Sequence, residues 1–129
     1  MTTEIVVLGW SVLLLLLNVI LQAGTSGDLG PAYLFSARDE KRETKSILSQ
    51  RLDRALHNLL ETYPAFIALA LALTISGKAG GIAATGAWLW LICRVIYVVL
   101  YAAGIPVART IVWSLSIVGL GMMLWRLAM

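Results

Sequence analysis

The stretch RLDRALHNLLETYPAF, residues 51–66, decides how this chain folds, because it carries polar residues into a membrane-length apolar segment. In a helix, Arg54, Asn58 and Glu61 are spaced i, i+4 and i+7 and share one face. An Arg or an acid at the middle of a bilayer costs roughly 2.5–3.5 kcal/mol on insertion scales, so this face needs partners. It is either a structural network between helices or a binding site. Three polar groups with different hydrogen-bonding roles favour a binding site.

The composition places the chain among integral membrane proteins. Of its 129 residues, 60% are hydrophobic, and its mean hydropathy of +0.86 is far above that of an ordinary soluble domain. The single cysteine, Cys93, lies in an apolar run, which argues against a disulfide framework and against a metal site. The net charge of +3 comes from basic residues beside apolar segments, so orientation in a membrane explains it better than nucleic-acid binding.

Four apolar segments are predicted to cross the lipid bilayer as a single membrane domain over residues 1–129. They run over about residues 5–23, 55–76, 84–103 and 107–127. A cleaved signal peptide is the competing interpretation of the first segment, but Glu4 precedes it and no basic residue does. Pro64 removes a backbone hydrogen bond within the second segment, and Gly104 with Pro106 marks the junction of the last two.

A hydrophilic loop over residues 24–54 separates the first two spans. Its excess of lysine and arginine predicts that it is cytoplasmic, with both termini on the opposite side of the membrane. A basic residue of this loop such as Arg38 could reach an anionic ligand at the membrane surface. A bacterial inner membrane or a membrane of the endoplasmic reticulum type would suit such a chain.

A second polar line lies on the third span, where Arg94, Tyr97 and Tyr101 are spaced i, i+3 and i+7. Glu61 and Arg94 each lie roughly 10 Å inward along their own helices, which run in opposite directions. This match in depth predicts that Glu61 faces Arg94 inside the membrane and forms a hydrogen-bonded ion pair with it.

The other polar residues of these helices are predicted to gather at the cytoplasmic mouth of the bundle. Asn58 and Tyr97 lie next to the ion pair, and Arg54, Tyr101 and Arg109 surround the mouth. An ion pair within the protein neutralises itself, so the arginines at the mouth leave a surplus of positive charge. The site therefore favours an anionic ligand.

These residues resemble the MAPEG family of membrane proteins in eicosanoid and glutathione metabolism. The resemblance rests on Arg54-x-x-x-Asn58-x-x-Glu61-x-Tyr63-Pro64, on Arg94-x-x-Tyr97-x-x-x-Tyr101 and on Arg109 after a short turn. It covers residues 51–127 well and the first span only in general character. It implies an all-α, integral membrane four-helix bundle assembled as a homotrimer, with glutathione as co-substrate between neighbouring subunits near the cytoplasmic face.

The resemblance also implies a role for each polar residue. Arg54, Asn58 and Glu61 hold the glutathione backbone, Tyr97 and Tyr101 line the site, and Arg109 stands near the thiol. The candidate binding residues are Arg38, Arg54, Asn58, Glu61, Arg94 and Tyr97, and the candidate catalytic residues are Arg109 and Tyr101. Thr110 is a weaker candidate, because a threonine near a helix start is usually a cap.

Departures from the family pattern bear on the substrate. Thr62 follows the motif glutamate where the leukotriene-conjugating members have a tyrosine, and the spacing from Arg94 to Arg109 differs by one residue. His57 stands where the prostaglandin-forming members have an arginine. A general glutathione transferase or peroxidase of bacterial type, acting on a lipophilic electrophile, therefore fits better than an eicosanoid-specific enzyme.

Two other functions are compatible with four spans. One is a non-catalytic oligomeric membrane scaffold. The other is a small multidrug-type transporter, which trades protons for cations at an acid in its first span. Here the intramembrane acid is accompanied by arginines, which repel a cation, so transport is the weakest of the three hypotheses.

Overall fold

The computed structural model describes residues 1–25 and 46–129, and within these ranges the chain forms four α-helices. They are α1 (Thr3–Gly24), α2 (Ile47–Ile75), α3 (Ile82–Ala103) and α4 (Pro106–Ala128). Each is long and apolar enough to cross a membrane. A helix of 22 residues, the length of α1, rises about 33 Å, against a hydrocarbon core about 30 Å thick. The chain is an all-helical, multi-pass membrane protein.

Helix α2 is longer than the span predicted for it. It begins at Ile47, about two turns before the predicted start near Ala55. Ser46 caps this start, because its side chain accepts a hydrogen bond from the Ser49 amide at 3.2 Å. The leucine, glutamine and arginine residues that follow are good helix formers, so the helix includes residues outside the apolar part of the sequence.

The acidic residue expected before the first span lies inside α1. Thr2 is the N-cap of this helix, and Glu4 therefore occupies its first turn, where a negative charge is favourable. The Glu4 side chain is fully buried and accepts a hydrogen bond from the Gly80 amide at 2.8 Å. The Thr2 and Thr74 hydroxyls lie 2.9 Å apart. These contacts join the start of α1 to the end of α2 and the turn before α3.

Aromatic packing around Trp90 forms the centre of the core. The Trp90 ring is fully buried, stacks on Phe66 with centroids 4.0 Å apart, and meets Tyr63 edge-on at 5.8 Å. The Tyr63 hydroxyl lies 2.8 Å from the Ser11 hydroxyl of α1. This cluster therefore joins three helices and sets the rotation of α2, whose face bearing Tyr63 and Phe66 is directed into the bundle.

Helices α3 and α4 approach each other closely at a pair of glycines. A Cβ atom added to Gly86 would lie 2.6 Å from the Gly119 carbonyl oxygen, and one added to Gly119 would lie 2.6 Å from the Gly86 carbonyl oxygen. At the other end of this helix pair, Gly104 caps α3 in the left-handed conformation with φ +76°, and Pro106 begins α4. Helix α4 is thereby held against α3 at both ends.

Candidate functional site

Three helices bring polar side chains together at the loop-side end of the bundle, which is the end where α2 and α4 begin and α3 ends. Arg54 comes from the third turn of α2, Tyr101 from the last turn of α3, and Arg109 from the first turns of α4. The turn at Gly104 and Ile105 is short and reverses the direction of the chain, so residues at the end of α3 and the start of α4 are neighbours.

Tyr101 lies between two guanidinium groups. The Arg54 Nε donates a hydrogen bond to the Tyr101 hydroxyl oxygen at 3.1 Å, and the Arg109 Cζ lies 4.4 Å from the centre of the Tyr101 ring. A guanidinium over a tyrosine face is held by a cation–π attraction. Among the described residues, no carboxylate lies within salt-bridge distance of either arginine. The positive charge at this end is therefore available to an anion.

Arg94 lies deeper in the bundle and is 1% exposed. Its Nη1 donates a hydrogen bond to the Asn58 Oδ1 at 3.0 Å, and its Cζ lies 4.7 Å from the centre of the Tyr97 ring. Its Nε and Nη2 are buried without a hydrogen-bond partner in the described part of the chain. The Arg94 guanidinium thus orients the Asn58 amide, and its Nε and Nη2 groups remain able to donate further hydrogen bonds.

The predicted ion pair between Glu61 and Arg94 is wrong for the single chain. Arg94 pairs with Asn58, and the Glu61 side chain is exposed. The reason is the rotation of α2 about its own axis, not the depth of Glu61 along it. Leu59 and Tyr63 are buried in the core, and Glu61 is two residues from each, which is roughly 200° around the helix. Glu61 therefore points outward from the bundle.

The cleft at this end has a volume of about 270 Å³. It is lined by Asn58, Tyr97, Tyr101, Arg109, Thr110 and Trp113. The Thr110 hydroxyl donates to the Pro106 carbonyl at 3.1 Å, so it is engaged within its own helix. Trp113 was not among the candidates from the sequence, although its spacing of i+4 from Arg109 could have placed it on this face.

The remaining candidates lie around this cleft or outside the described residues. Arg54 is exposed beside it, and Tyr97 is 4% exposed, with its ring 5.6 Å from that of Tyr101. Arg38 lies outside the described residues. In the described part of the chain, no group of three His, Cys, Asp or Glu side chains could hold a metal ion.

Comparison with known protein families identifies the family of this chain. The model of the MAPEG family matches residues 7–129, which is nearly the whole chain. The chain belongs to the MAPEG family. It is therefore a membrane protein of glutathione or eicosanoid metabolism, as the motifs on α2 and α3 predicted. No curated protein and no solved structure shows a significant match to this MAPEG chain.

One arginine next to the site was missed from the sequence. Arg51 had been assigned to the charged loop, but it lies in α2, one turn before Arg54, and contacts the turn between α3 and α4. The spacing i, i+3 to Arg54 was the available signal, because residues three apart in a helix are neighbours on its surface.

Proposed function

We propose that this MAPEG protein binds glutathione in the loop-side cleft and holds it as a thiolate for attack on a lipophilic electrophile, as a glutathione transferase or peroxidase. The observation that carries the proposal is the position of Arg54 and Arg109 on two sides of Tyr101 without a described carboxylate partner. Such a site attracts an anion, and glutathione brings carboxylates and a thiol that can ionise.

Arg109 stabilises the thiolate in this mechanism. A free thiol has a pKa of about 8.5, so only a few per cent is ionised at neutral pH, and an adjacent guanidinium lowers that pKa. The Tyr101 hydroxyl accepts a hydrogen bond from Arg54, which leaves its own proton free to be donated to the sulfur. In conjugation, the thiol proton passes to water, the thiolate sulfur forms a bond to the electrophilic carbon, and the leaving group departs with its electron pair.

The other polar residues hold the tripeptide. Arg54 and Arg38 bind its carboxylates, and Asn58, Glu61 and Tyr97 position its backbone. Arg94 acts through the hydrogen bond from its Nη1 to Asn58, and its unused donors lie at the same depth. Glu61 is the acidic member of the set and complements the ammonium group of the tripeptide.

The complete site lies between neighbouring copies of a homotrimer. A cleft of about 270 Å³ is slightly below the roughly 300–1,000 Å³ that ligand pockets usually have. Glu61 points outward from an apolar helix, and a charge facing lipid there would be costly. A second copy would enlarge the cleft and cover Glu61. The segment between α1 and α2 is cytoplasmic in this proposal, so glutathione enters from the cytoplasm.

The test is a titration of the purified, full-length protein with glutathione, followed by the ultraviolet absorbance of the thiolate. Arg109→Ala should raise the pKa of the bound thiol and reduce turnover at neutral pH, with partial recovery as pH rises. Arg54→Ala should instead weaken binding by about one to two decades, since a charge-assisted contact contributes roughly 1.5–3 kcal/mol.

The matched control is Arg126→Ala, which removes an arginine at the opposite end of the bundle, where its Nε donates to the Lys78 carbonyl at 3.1 Å. Arg126→Ala should change neither the pKa of the bound thiol nor the affinity for glutathione. If the parent protein shows no thiolate signal and no saturable binding at millimolar glutathione, the enzymatic function is refuted and the non-catalytic scaffold takes its place.

A further inference from the structure

Arg51 makes a contact that the site described above does not use. It is half-buried in α2, and its Nη1 donates a hydrogen bond to the Ala102 carbonyl oxygen at 3.2 Å. Ala102 lies in the last turn of α3, where carbonyl groups have no partner within the helix. A cation at this position is favourable, since the C-terminal end of a helix carries partial negative charge.

The Arg51 guanidinium also packs against the turn itself. A Cβ atom added to Gly104 would lie 2.8 Å from the Arg51 Nη2, 2.9 Å from its Cζ and 3.0 Å from its Nη1. These three near-equal distances mean that the guanidinium plane covers the turn. Gly104 thus meets two requirements, because its φ of +76° favours glycine and its missing side chain admits the arginine.

The turn connects two residues of the proposed thiol site. Tyr101 lies three residues before Gly104, and Arg109 lies three residues after Pro106, the first residue of α4. The Arg109 Cζ is 4.4 Å from the Tyr101 ring, so a movement of the turn moves these groups relative to each other. Helix α2 contacts this region at two points, because Arg54 donates to the Tyr101 hydroxyl and Arg51 donates to the carbonyl of the next residue, Ala102.

We infer that Arg51 is a positioning residue for Arg109: by holding the turn between α3 and α4, it sets the distance from the Arg109 guanidinium to the glutathione sulfur. The inference rests on the function proposed above. Arg51 itself does not touch the thiol. The distance matters because the attraction between two charges falls as they separate, and a misplacement of about 1 Å can cost on the order of a hundredfold in rate.

The experiment compares Arg51→Gln, Arg51→Lys and Arg126→Gln in the purified, full-length protein. Arg51→Gln removes the charge and the planar donor group. Arg51→Lys keeps a positive donor that can still reach the Ala102 carbonyl. Arg126→Gln is the matched control, because Arg126 also donates a hydrogen bond from its side chain to a carbonyl of a turn, Lys78, but at the far end of the bundle. For each variant, four quantities are measured: the midpoint of thermal unfolding, the dissociation constant of glutathione, the pH midpoint of thiolate formation, and kcat with a generic aromatic electrophile.

Arg51→Gln should raise the pH midpoint of thiolate formation and lower kcat at neutral pH by roughly tenfold, while the dissociation constant changes by less than about threefold. Arg51→Lys should restore most of the parent pH midpoint and most of the parent kcat. Arg126→Gln should lower thermal stability comparably without moving the pH midpoint. If Arg51→Gln moves the pH midpoint no further than Arg126→Gln does, Arg51 is only structural and the inference is overturned, while the proposed function stands. If the parent protein forms no thiolate, both are overturned.

Discussion

Among the described residues, two clefts of nearly equal size lie on opposite faces of helix α3, and their linings differ completely. One has a volume of about 260 Å³ and lies between α1 and α3. It is lined by Trp10, Leu13, Leu14, Leu17, Trp88, Leu91 and Val95. The other is the loop-side cleft of about 270 Å³. Trp88 and Tyr97, which line the two clefts, are nine residues apart on α3, or roughly 180° around the helix.

The difference shows which face of α3 can be exposed to the lipid bilayer. The lining of the first cleft, hereafter the apolar groove, needs no partner beyond lipid chains. The loop-side cleft has Arg109 and Asn58 in its wall. Glu61 of α2 is exposed. Exposure of these groups to lipid would be costly, and the proposed glutathione and neighbouring copy would cover them. Size alone would not have distinguished the two clefts.

The largest expected effect on stability comes from Asn58→Leu. This change removes the described partner of the buried Arg94 guanidinium and should cost about 3 kcal/mol, because a charged group is then left buried and unsatisfied. The midpoint of thermal unfolding in detergent, without glutathione, measures the loss. The double variant Asn58→Leu with Arg94→Met should recover much of it, since both polar partners are gone. A double variant that is less stable than either single one would show that Arg94 has partners other than Asn58.

A smaller loss of stability is expected from Gly86→Ala, which tests whether tight packing of α4 on α3 maintains the polar cleft. The new Cβ would lie 2.6 Å from the Gly119 carbonyl oxygen, and overpacking of this kind should cost about 2 kcal/mol. Gly121→Ala is the matched control on α4, because nothing lies within 4 Å of its added Cβ. Equal thermal stability of the two variants would mean that the helices separate without cost.

Tyr101→Phe should have a moderate effect on the bound thiol. It removes the hydroxyl that accepts the hydrogen bond from Arg54 and keeps the ring under Arg109. The pKa of bound glutathione should rise by somewhat less than about one unit, since a net hydrogen bond contributes about 1 kcal/mol. Tyr97→Phe is the control, because it keeps the ring contact with Arg94 in the same cleft. Identical pH profiles for these two variants would remove the Tyr101 hydroxyl from the mechanism.

The smallest effect is expected from Leu17→Ala in the apolar groove. Leu17 is 49% exposed, so truncation should change stability by no more than about 0.5 kcal/mol. The dissociation constant of glutathione should not change, because the groove lies on the other face of α3. A clear change in that constant would mean that the two faces are coupled and that the comparison between them is too simple.

Much of the site was recognisable before the structure, because it follows from local spacing. Arg54, Asn58, Tyr97 and Tyr101 lie at helical intervals, and the structure brings them together with Arg109 at one end of the bundle. The pairing across helices was harder to predict. Depth along two antiparallel helices suggested Glu61 as the partner of Arg94, but depth contains no information about the rotation of each helix about its axis.

The sequence by itself determined the membrane class, the apolar helices, the polar motif and the family, because lengths of apolar runs and spacings within one helix are properties of the chain alone. Only the tertiary structure decided that Arg94 binds Asn58, that Glu61 points outward and that Arg51 covers Gly104. Each of these depends on how a helix is rotated against its neighbours. Each residue turns a helix by about 100°, so packing around a few side chains such as Trp90 determines which groups meet.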